Sequence, residues 1–445
     1  MPSADAVVVG AGLAGLSATL ALAEAGARVH LLAKGHASTH WASGGLDVAA
    51  LPRAVTVREA VARLADDARH PYAILSDALP PALEWIRGML QHEGLPYVGT
   101  IDGPVVPVPT SIGATRPAAI LPAAQAAALR PWEPGERLVV CGPGGFKDYW
   151  PHAIARGLRR AGAWWGSAGP ERVDPLVVEL PGVRDRLNLD AIELARLFEE
   201  PGWRWDAFAA IRRALIIGGL DGPGRMALPA VLGLDDHAAV LAEATSELPL
   251  EPFEVPLMPP SVPGLRLYRA LRAAIVRAGG RVQIGQAVVR IGVRDGRVVE
   301  VAMEAAARQF VVRTDMLIMA TGGIAGGGLV GHPDGTLREP LLDLPVEAPP
   351  AMSWLAREPL AAGGHPLEAA GIRSDAELRP VDASGRPAGP AGVRICGSLL
   401  AGQRYLRERC GDGVAVASGW LAAGAHRPSA PRRDAPQSLA GEVAG

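Results

Sequence analysis

Three glycines near the amino end of the chain restrict its fold more than any other feature. Gly10, Gly12 and Gly15 follow an apolar run at residues 6–9 and open a helical pattern rich in leucine and alanine, and a second apolar run covers residues 29–32. In a strand–turn–helix–strand unit, this G-x-G-x-x-G spacing permits the tight turn, lets the backbone approach a pyrophosphate and lets helix and strand pack closely. The pattern therefore predicts a Rossmann-like unit with a bound nucleotide, against the alternative of a glycine-rich turn that binds nothing.

The second apolar run ends without the acidic residue that usually binds the adenosine ribose. Ala33 and Lys34 stand in its place. The ribose hydroxyls would then be bound by the backbone or by other side chains. The glycine pattern therefore predicts a nucleotide cofactor without deciding which one.

Composition narrows the possible functions. The 445 residues suffice for two or three domains, and a formal net charge of −2 favours neither nucleic acid nor an anionic membrane as a partner. Cys141, Cys396 and Cys410 are far apart and form no C-x-x-C, so the sequence indicates no disulfide framework and no metal site, and it suits a reducing cytosol. No run of about 18 apolar residues lacks breakers, so we expect no transmembrane segment.

The later part of the chain returns to strand patterns after a long insertion. Strands around the Asp295-Gly296 hairpin turn predict a β-meander that leads into residues 320–323, ATGG, and a strand–glycine–helix pattern follows after residue 390. We predict an α/β fold, Rossmann-like with a β-meander, plus an inserted α+β second domain that includes a strand at residues 214–218. The predicted segments are the Rossmann-like domain (1–50, 265–330 and 390–427), the insertion (51–264), a loop-rich connection (331–389) and a disordered tail (428–445).

Residues 38–45, STHWASGG, resemble the flavin-contacting S-T-x-x-A-x-G-G segment of one flavoprotein group. This segment, the three glycines near the amino end and the ATGG at residues 320–323 together resemble flavoproteins with two dinucleotide-binding domains. Within that superfamily, the resemblance is to the group of fumarate reductase and L-aspartate oxidase. This resemblance implies an FAD/NAD(P)-binding flavoprotein domain. Some relatives carry the flavin covalently on a histidine in this segment. Aligning on Gly44-Gly45 puts Ser38 at that position and His40 two residues later, so we expect a non-covalent flavin.

A closer resemblance covers nearly the whole chain. It is to the B subunit of anaerobic glycerol-3-phosphate dehydrogenases, through the blocks VVGAGLAGL (8–16), HWASGGLD (40–47), LMPPSVPGLRL (257–267), ATGGIAGGGLV (320–330) and CGDGVAVAS (410–418). The resemblance implies a complex on the cytoplasmic face of the inner membrane, with two partners, an FAD-containing A subunit and an iron–sulfur C subunit. That complex oxidises sn-glycerol 3-phosphate to dihydroxyacetone phosphate and passes electrons to quinone. The glycine pattern suggests FAD and the family suggests FMN, so the choice stays open.

The expected flavin contacts come from the glycine turn, the end of the second strand, the segment after it and the two late glycine turns. They are Gly10, Ala11, Gly12, Leu13, Ala14, Gly15, Ala33, Lys34, Ser38, Thr39, His40, Ser43, Gly44, Gly45, Leu46, Thr321, Gly322, Gly323, Gly397, Gly411, Asp412, Gly413 and Val414. The last helix is expected to point its amino end at the flavin. Asp412 is interpreted as an N-cap, since an anion there would oppose the charge of reduced flavin.

Candidate catalytic residues are fewer. His40 is the best-placed general base, with a structural histidine as the alternative. A phosphorylated substrate requires cations near the flavin, and Arg116 and Arg266 are the first candidates. Further candidates are Lys147, Arg404 and Arg407. For each of the five, the alternative is a packing or surface role. His70 is interpreted as structural. Because no base stands out, two alternatives stay open: a stand-alone FAD-dependent oxidoreductase of another small substrate, and a non-catalytic assembly protein.

Overall fold

The computed structural model describes residues 2–160, 169–186, 188–305, 308–359, 361 and 363–424, so the predicted tail lies outside the described residues. The helices are α1 (Leu13–Glu24), α2 (Val57–Ala65), α3 (Tyr72–Leu75), α4 (Leu79–His92), α5 (Pro151–Arg160), α6 (Ala191–Glu199), α7 (Pro201–Ile217), α8 (His237–Glu247), α9 (Val262–Arg277), α10 (Tyr405–Glu408) and α11 (Gly411–Gly424). None of the helices in these ranges is both long enough and apolar enough to cross a membrane.

The strands fall into two main sheets, a meander and short pairs. In chain order they are β1 (Ala6–Val9), β2 (Val29–Ala33), β3 (Tyr97–Val98), β4 (Val106–Pro109), β5 (Thr115–Ala118), β6 (Leu121–Pro122), β7 (Arg137–Pro143), β8 (Arg172–Val178), β9 (Gly224–Pro229), β10 (Glu251–Val255), β11 (Arg281–Ile284), β12 (Ala287–Arg294), β13 (Arg297–Ala305), β14 (Arg308–Arg313), β15 (Leu317–Met319), β16 (Val330–Gly331), β17 (Leu337–Arg338) and β18 (Val393–Ile395).

The first sheet is parallel and contains the predicted strand–turn–helix–strand unit. Its strand order is β11-β2-β1-β15-β18, and Val9 of β1 pairs with Leu32 of β2 and Met319 of β15. Because carboxyl ends of parallel strands meet at one edge of a sheet, the turns that follow β1, β2, β15 and β18 lie side by side there. This edge therefore gathers the glycine turn, Ala33, the ATGG turn and Gly397.

The β-meander and the Rossmann-like sheet confirm the predicted fold class. Strands β12, β13 and β14 form an antiparallel sheet, and Asp295 and Gly296 in its first turn have φ values of 51° and 70°. Both values lie in the left-handed region that a tight two-residue hairpin turn requires. The antiparallel pairs β3–β6 and β4–β5 precede a second main sheet of order β10-β9-β7-β8, whose strands are all parallel.

One predicted strand is wrong. Residues 214–217 form the end of α7 and Gly218 is its C-cap residue; Leu215 is buried while Ile216 and Ile217 are 58% and 79% exposed. A short apolar run does not distinguish a strand from a helix by periodicity alone. Here the helix buries Leu215, packs the half-buried Ala214 against the second hydrophobic cluster and leaves the two isoleucines in solvent.

Two hydrophobic clusters suggest where the insertion begins. Ala60 of α2 and Ile86 of α4 belong to the cluster of the first sheet, whereas Leu138 of β7 and Phe253 of β10 belong to the cluster of the second. We propose that the inserted domain starts near residue 106, because Tyr97 still belongs to the first cluster and Val108 to the second, so that the helices before it pack with the Rossmann-like domain. The other predicted boundaries stay proposals.

Candidate functional site

The glycine turn after β1 packs tightly against backbone atoms at Gly10 and Gly15 and has free space at Gly12. Gly10 has φ +115°, and an added Cβ would lie 2.1 Å from the carbonyl oxygen of Ala320; a Cβ on Gly15 would lie 1.9 Å from the carbonyl oxygen of Gly10. At Gly12 the nearest atom to an added Cβ is the Cβ of Ala37, at 3.6 Å, which is an ordinary contact. Gly10 and Gly15 therefore hold the turn together, and Gly12 leaves its backbone accessible to a ligand.

The neighbouring turns at the same sheet edge contain buried polar atoms without partners. Thr321 Oγ1, in the turn after β15, and Gln403 Oε1 have no hydrogen-bond partner among the described residues. Gln403 Nε2 donates to the carbonyl of Gly397 at 3.0 Å, which holds the side chain at the turn after β18. Buried polar groups are nearly always satisfied, so these atoms indicate a polar ligand at this edge. Nothing in the sequence around Gln403 distinguished it.

Residues 38–50 are held in place by side chains from four distant segments. Each donates a hydrogen bond to a backbone carbonyl of this 38–50 loop: Ser261 Oγ to Ala42 (2.5 Å), Gln125 Nε2 to Ser43 (2.8 Å), Tyr97 Oη to Gly44 (2.5 Å) and Tyr72 Oη to Val48 (2.5 Å). The loop thus has a fixed conformation although it contains little regular structure. None of the four donors was predicted as a site residue.

The P-P-S-V-P-G block has a physical role in this arrangement. It begins α9, and a Cβ on Gly264 would lie 2.5 Å from the carbonyl oxygen of Thr39. Gly44 has φ +84°, and an added Cβ there would lie 2.6 Å from Pro263 Cβ. Small residues on both sides let the start of α9 approach the 38–50 loop closely, so this block sets the position of the predicted flavin segment.

Arg116 lies against the Gly44-Gly45 turn with part of its guanidinium unpaired. Its Nη1 donates to Asp47 Oδ1 at 2.9 Å, and Arg409 Nη1 lies 3.7 Å from Asp47 Oδ2. Arg116 Nη2 is buried without a hydrogen-bond partner among the described residues, and a Cβ on Gly45 would lie 2.7 Å from it. The expected cation is therefore present, with a free donor beside the turn.

Asp412 joins the start of α11 to the 38–50 loop. The Asp47 amide donates to Asp412 Oδ2 at 2.9 Å, and the amides of Asp412 and Gly413 donate to the Asp47 carbonyl at 3.1 and 3.2 Å. The N-cap interpretation of Asp412 is wrong, because it is the second residue of α11 and its carboxylate bonds another segment. These two amides, expected to face the cofactor, are instead directed at Asp47, so the start of α11 orients the loop.

Burial changes the acidity of Asp412. It raises the pKa of this carboxyl from 3.8 to about 7, the Asp47 carboxylate adds to the increase, and a hydrogen bond from Asp47 and the charge of Arg116 oppose it. Between about pH 4 and pH 7 the folded chain therefore holds a proton that the unfolded chain has released. The stabilisation from this proton is complete below pH 4 and is lost as the pH rises through about 7.

We expect Asp412→Asn to raise the free energy of unfolding at pH 8 by up to about 4 kcal/mol, and by less than about 2 kcal/mol at pH 5. In this variant the side-chain amide oxygen still accepts the hydrogen bond from the Asp47 backbone amide, but the side chain no longer titrates. Urea unfolding followed by tryptophan fluorescence at both pH values measures the difference. Asp206→Asn, at an exposed position of α7, removes the same charge and should show no such pH dependence. A gain at pH 5 as large as that at pH 8 contradicts the prediction.

Arg266 is a structural residue in this fold rather than a free cation. Its guanidinium donates to both carboxylate oxygens of Glu254, at 2.6 and 2.9 Å, and to the carbonyl of Gly233. The side chains of Arg266 and Glu254 are 3% and 0% exposed. Since Glu254 and Gly233 occupy its donor groups, the catalytic role expected for Arg266 does not agree with the structure.

His40 is packed between two other rings. It stacks on His36 with ring centroids 4.2 Å apart and meets Tyr268 edge-on at 4.3 Å. Burial lowers the pKa of His40, and the charges of His36 and Arg269 lower it further. Its Nε2 is buried without a partner among the described residues. The neutral ring retains an unpaired nitrogen, and the role of His40 as a base stays a prediction.

His70 belongs to a hydrogen-bonded group with Glu408 and Cys410. Its Nδ1 accepts the Tyr72 amide at 3.0 Å, so the proton lies on Nε2, which donates to Glu408 Oε2 at 3.3 Å. Cys410 Sγ donates to the same oxygen at 3.5 Å, and burial holds the pKa of the thiol well above its usual value. A metal ion would require that nitrogen and a thiolate, so this bonding favours the structural interpretation.

The remaining candidate cations, Lys147, Arg404 and Arg407, have contacts with other parts of the chain. Lys147 pairs with its neighbour Asp148 at 2.9 Å and follows Phe146, which belongs to the second hydrophobic cluster. The backbone amide of Arg404 donates to Glu408 Oε2 at 2.6 Å, and a Cβ added at Gly364 would lie 3.2 Å from Arg407 Cγ. Within the described part of the chain, Arg116 is the one cation proposed from the sequence that meets the 38–50 loop.

Comparison with known sequences decides the family. A family profile described as "FAD binding domain" matches residues 5–414. The chain belongs to this family. It is also 31% identical over 433 residues to the B subunit of a probable anaerobic glycerol-3-phosphate dehydrogenase of Halobacterium salinarum, across 94% of this chain and 96% of that protein. The corresponding B subunits of Yersinia pestis and Vibrio cholerae are 29% and 27% identical, across 93% and 94% of this chain and 96% and 95% of theirs.

These relatives place the chain within the B-subunit group of the FAD-binding family, and they confirm the flavoprotein resemblance. Solved structures are more distant. A 3-ketosteroid delta1-dehydrogenase from Sterolibacterium denitrificans is 10% identical with a TM-score of 0.44, over 96% of this chain and 99% of that one. The open conformation of a flavocytochrome c3 fumarate reductase is 11% identical with a TM-score of 0.43, over 95% and 78%.

Flavin suits the donors and acceptors at the site. Gly12, whose backbone is open, is the N-cap residue of α1, and phosphate groups bind at the amino ends of helices. Buried atoms of both donor and acceptor type lack partners among the described residues in Arg116 and His40, at the 38–50 loop, and in Thr321 and Gln403, at the turns after β15 and β18. A flavin nucleotide carries a pyrophosphate or phosphate, which suits the amino end of α1. Its ribityl hydroxyls and polar ring edge suit the unpaired side-chain donors and acceptors. The cofactor contacts predicted from the sequence remain proposals in detail.

Proposed function

We propose that this chain is the flavin-binding B subunit of a respiratory glycerol-3-phosphate dehydrogenase, in which it transfers electrons. The whole complex converts sn-glycerol 3-phosphate to dihydroxyacetone phosphate and reduces quinone. The observation that carries the proposal is similarity over 94% of the chain to a protein named as the B subunit of a probable anaerobic glycerol-3-phosphate dehydrogenase. Its partners are an FAD-containing A subunit and an iron–sulfur C subunit, which hold it at the cytoplasmic face of the membrane.

The residues of the site have separate tasks in this proposal. The turn at Gly10–Gly15 binds the phosphates, and the 38–50 loop, fixed by its four side-chain donors, positions the flavin ring. When bound, the flavin accepts electrons from a donor and passes them on. Arg116, with its unpaired Nη2, supplies positive charge beside the Gly44-Gly45 turn. His40 is closed in by His36 and Tyr268, which favours electron transfer over substrate oxidation in this chain.

The proposal is tested on the purified chain and on the assembled complex. We expect a yellow protein from which acid releases intact flavin, because the flavin is non-covalent. Glycerol 3-phosphate should reduce quinone only when the partner proteins are added. A chain that binds neither FAD nor FMN contradicts the proposal. A chain that oxidises glycerol 3-phosphate alone, with an artificial electron acceptor, supports the stand-alone alternative.

Arg116→Gln is expected to lower the midpoint potential of the bound flavin by about 30–60 mV, because removal of a neighbouring positive charge costs the reduced form roughly 1–3 kcal/mol. Spectroelectrochemical titration measures the potential. Arg116→Lys keeps the charge and should shift the potential by less than half as much. If the potential does not move in Arg116→Gln, the guanidinium does not act on the flavin.

A further inference from the structure

Three aromatic side chains form a compact group just beyond the carboxyl end of β2. His36 and His40 stack with an interplanar angle of 23°, and Tyr268 of α9 meets both rings edge-on, at centroid distances of 5.4 and 4.3 Å. His36 is exposed and Tyr268 is only 5% exposed. We refer to His36, His40 and Tyr268 as the ring cluster. It thus has one ring open to solvent and two rings behind it.

The ring cluster contains two buried polar atoms that lack partners among the described residues. They are Tyr268 Oη and His40 Nε2. A buried tyrosine hydroxyl usually has a hydrogen-bond partner, and an unsatisfied one costs stability. Two such atoms in contacting rings are therefore unusual in a structural cluster. They indicate that a ligand supplies the missing hydrogen bonds.

The position of the cluster identifies the part of the ligand concerned. In a dinucleotide-binding fold, the adenosine lies at the carboxyl end of the second strand, where an acidic residue normally binds the ribose. In this chain β2 ends at Ala33, which is buried, and the exposed Lys34 follows. The ring cluster begins two residues further on. It occupies the region in which the usual carboxylate is absent.

The charge around the cluster also suits a nucleotide. The positive charge of Arg269 lowers the pKa of His40. The positive charge of Arg272 opposes the rise that burial causes in the pKa of Tyr268. Arg269 pairs with Asp235, whereas Arg272 is exposed on the same helix. Positive side chains near aromatic faces favour a base that carries phosphate.

We propose that the ring cluster binds the adenosine half of FAD in place of the missing acidic residue. The exposed His36 ring offers a face on which adenine stacks, and Tyr268 Oη and His40 Nε2 hydrogen-bond the ribose hydroxyls. This inference rests on the proposed flavin function. It makes the chain selective for FAD, because FMN has no adenosine.

The test is the affinity of the flavin-free chain for FAD and FMN, measured by quenching of flavin fluorescence. We expect FAD to bind at least about 100-fold more tightly than FMN. Tyr268→Phe and His36→Ala should each weaken FAD binding by about tenfold and leave FMN binding unchanged. Free adenosine should compete with FAD in the parent chain and should not compete with FMN.

Matched variants control for the loss of a ring or a hydroxyl. Tyr149→Phe removes a buried hydroxyl that bonds Ala227 in the second sheet, and His152→Ala removes an exposed histidine of α5; neither should alter FAD affinity. Equal affinities for FAD and FMN, or parallel losses of both in Tyr268→Phe, overturn the inference while leaving the flavin function intact. Binding of neither flavin contradicts the proposed function itself. The adenosine competition does not depend on any variant folding.

Discussion

A Gly12→Glu variant is expected to fold like the parent chain and to bind no flavin. Gly12 has φ −74° and ψ 174°, which any residue adopts, and an added Cβ meets only Ala37 Cβ at 3.6 Å. A carboxylate at this point would occupy the space for phosphate and repel it from the amino end of α1. We expect flavin affinity to fall by at least about 1000-fold and the free energy of unfolding of the apoprotein to change by less than about 1 kcal/mol.

Gly15→Ala is the contrasting variant, because its added Cβ would lie 1.9 Å from the carbonyl oxygen of Gly10. That position has no room even for a methyl group, so we expect a loss of about 3 kcal/mol or more in the free energy of unfolding. Visible absorbance reports the flavin, and urea unfolding of the flavin-free proteins reports stability. A Gly12→Glu protein that retains its flavin would show that the turn is not the phosphate site.

The same variant separates electron transfer from assembly. In the complex with its FAD-containing and iron–sulfur partners, a flavin-free Gly12→Glu chain should stop electron flow from glycerol 3-phosphate to quinone if the flavin of this chain lies on the path. Size-exclusion chromatography should show that the complex still assembles. Full activity in an assembled complex whose Gly12→Glu chain is flavin-free would support the non-catalytic assembly alternative.

The glycine turn was predictable because two of its three glycines have a stereochemical cause. Gly10 requires a positive φ and Gly15 allows the helix to touch the turn, and both requirements are expressed within a few residues of sequence, although the close approach of Ala320 to Gly10 is not. The Asp295-Gly296 hairpin was predictable for the same reason. Parallel strands then bring the later glycine turns to the same edge, a rule of topology that needs no side-chain detail.

The fixation of the 38–50 loop was not predictable, because it depends on pairs far apart in sequence. Tyr72, Gln125 and Ser261 bond loop carbonyls that are 24, 82 and 219 residues away. Such pairs leave no periodic pattern in one sequence. Asp412 was misassigned for this reason: its partner is Asp47, 365 residues earlier, whereas the sequence offered only the local N-cap interpretation.

Arg266 illustrates the same limit and leads to a large expected effect on stability. From the sequence it was an arginine beside a family-specific block, and its partner Glu254 lies 12 residues earlier on β10. Arg266→Leu leaves the Glu254 carboxylate buried with only the Leu232 amide among the hydrogen bonds described for it, at 2.8 Å. Removal of one member of a buried ion pair typically costs about 3–5 kcal/mol, and we expect a loss in that range.

Urea unfolding of three variants tests this prediction. Arg266→Leu should lose about 3–5 kcal/mol, and the double variant Arg266→Leu with Glu254→Leu should recover at least about half, because no unpaired charge remains. Arg269→Leu, on the same helix, removes an exposed pair with Asp235 and should change stability by less than about 1 kcal/mol. Equal effects of Arg266→Leu and Arg269→Leu would contradict a structural role for the buried pair.

The flavin gives an independent measure of the same contact. Arg266 holds the first turns of α9 against β10 and Gly233, and Gly264 in that turn touches Thr39 of the 38–50 loop. A loosened helix should therefore release the loop, so we expect Arg266→Leu to weaken flavin binding at temperatures well below its unfolding midpoint. A role in substrate binding predicts the opposite pattern: stability and flavin content would be unchanged, and only the KM for glycerol 3-phosphate in the complex would rise. Because the two roles change different quantities, one variant distinguishes them.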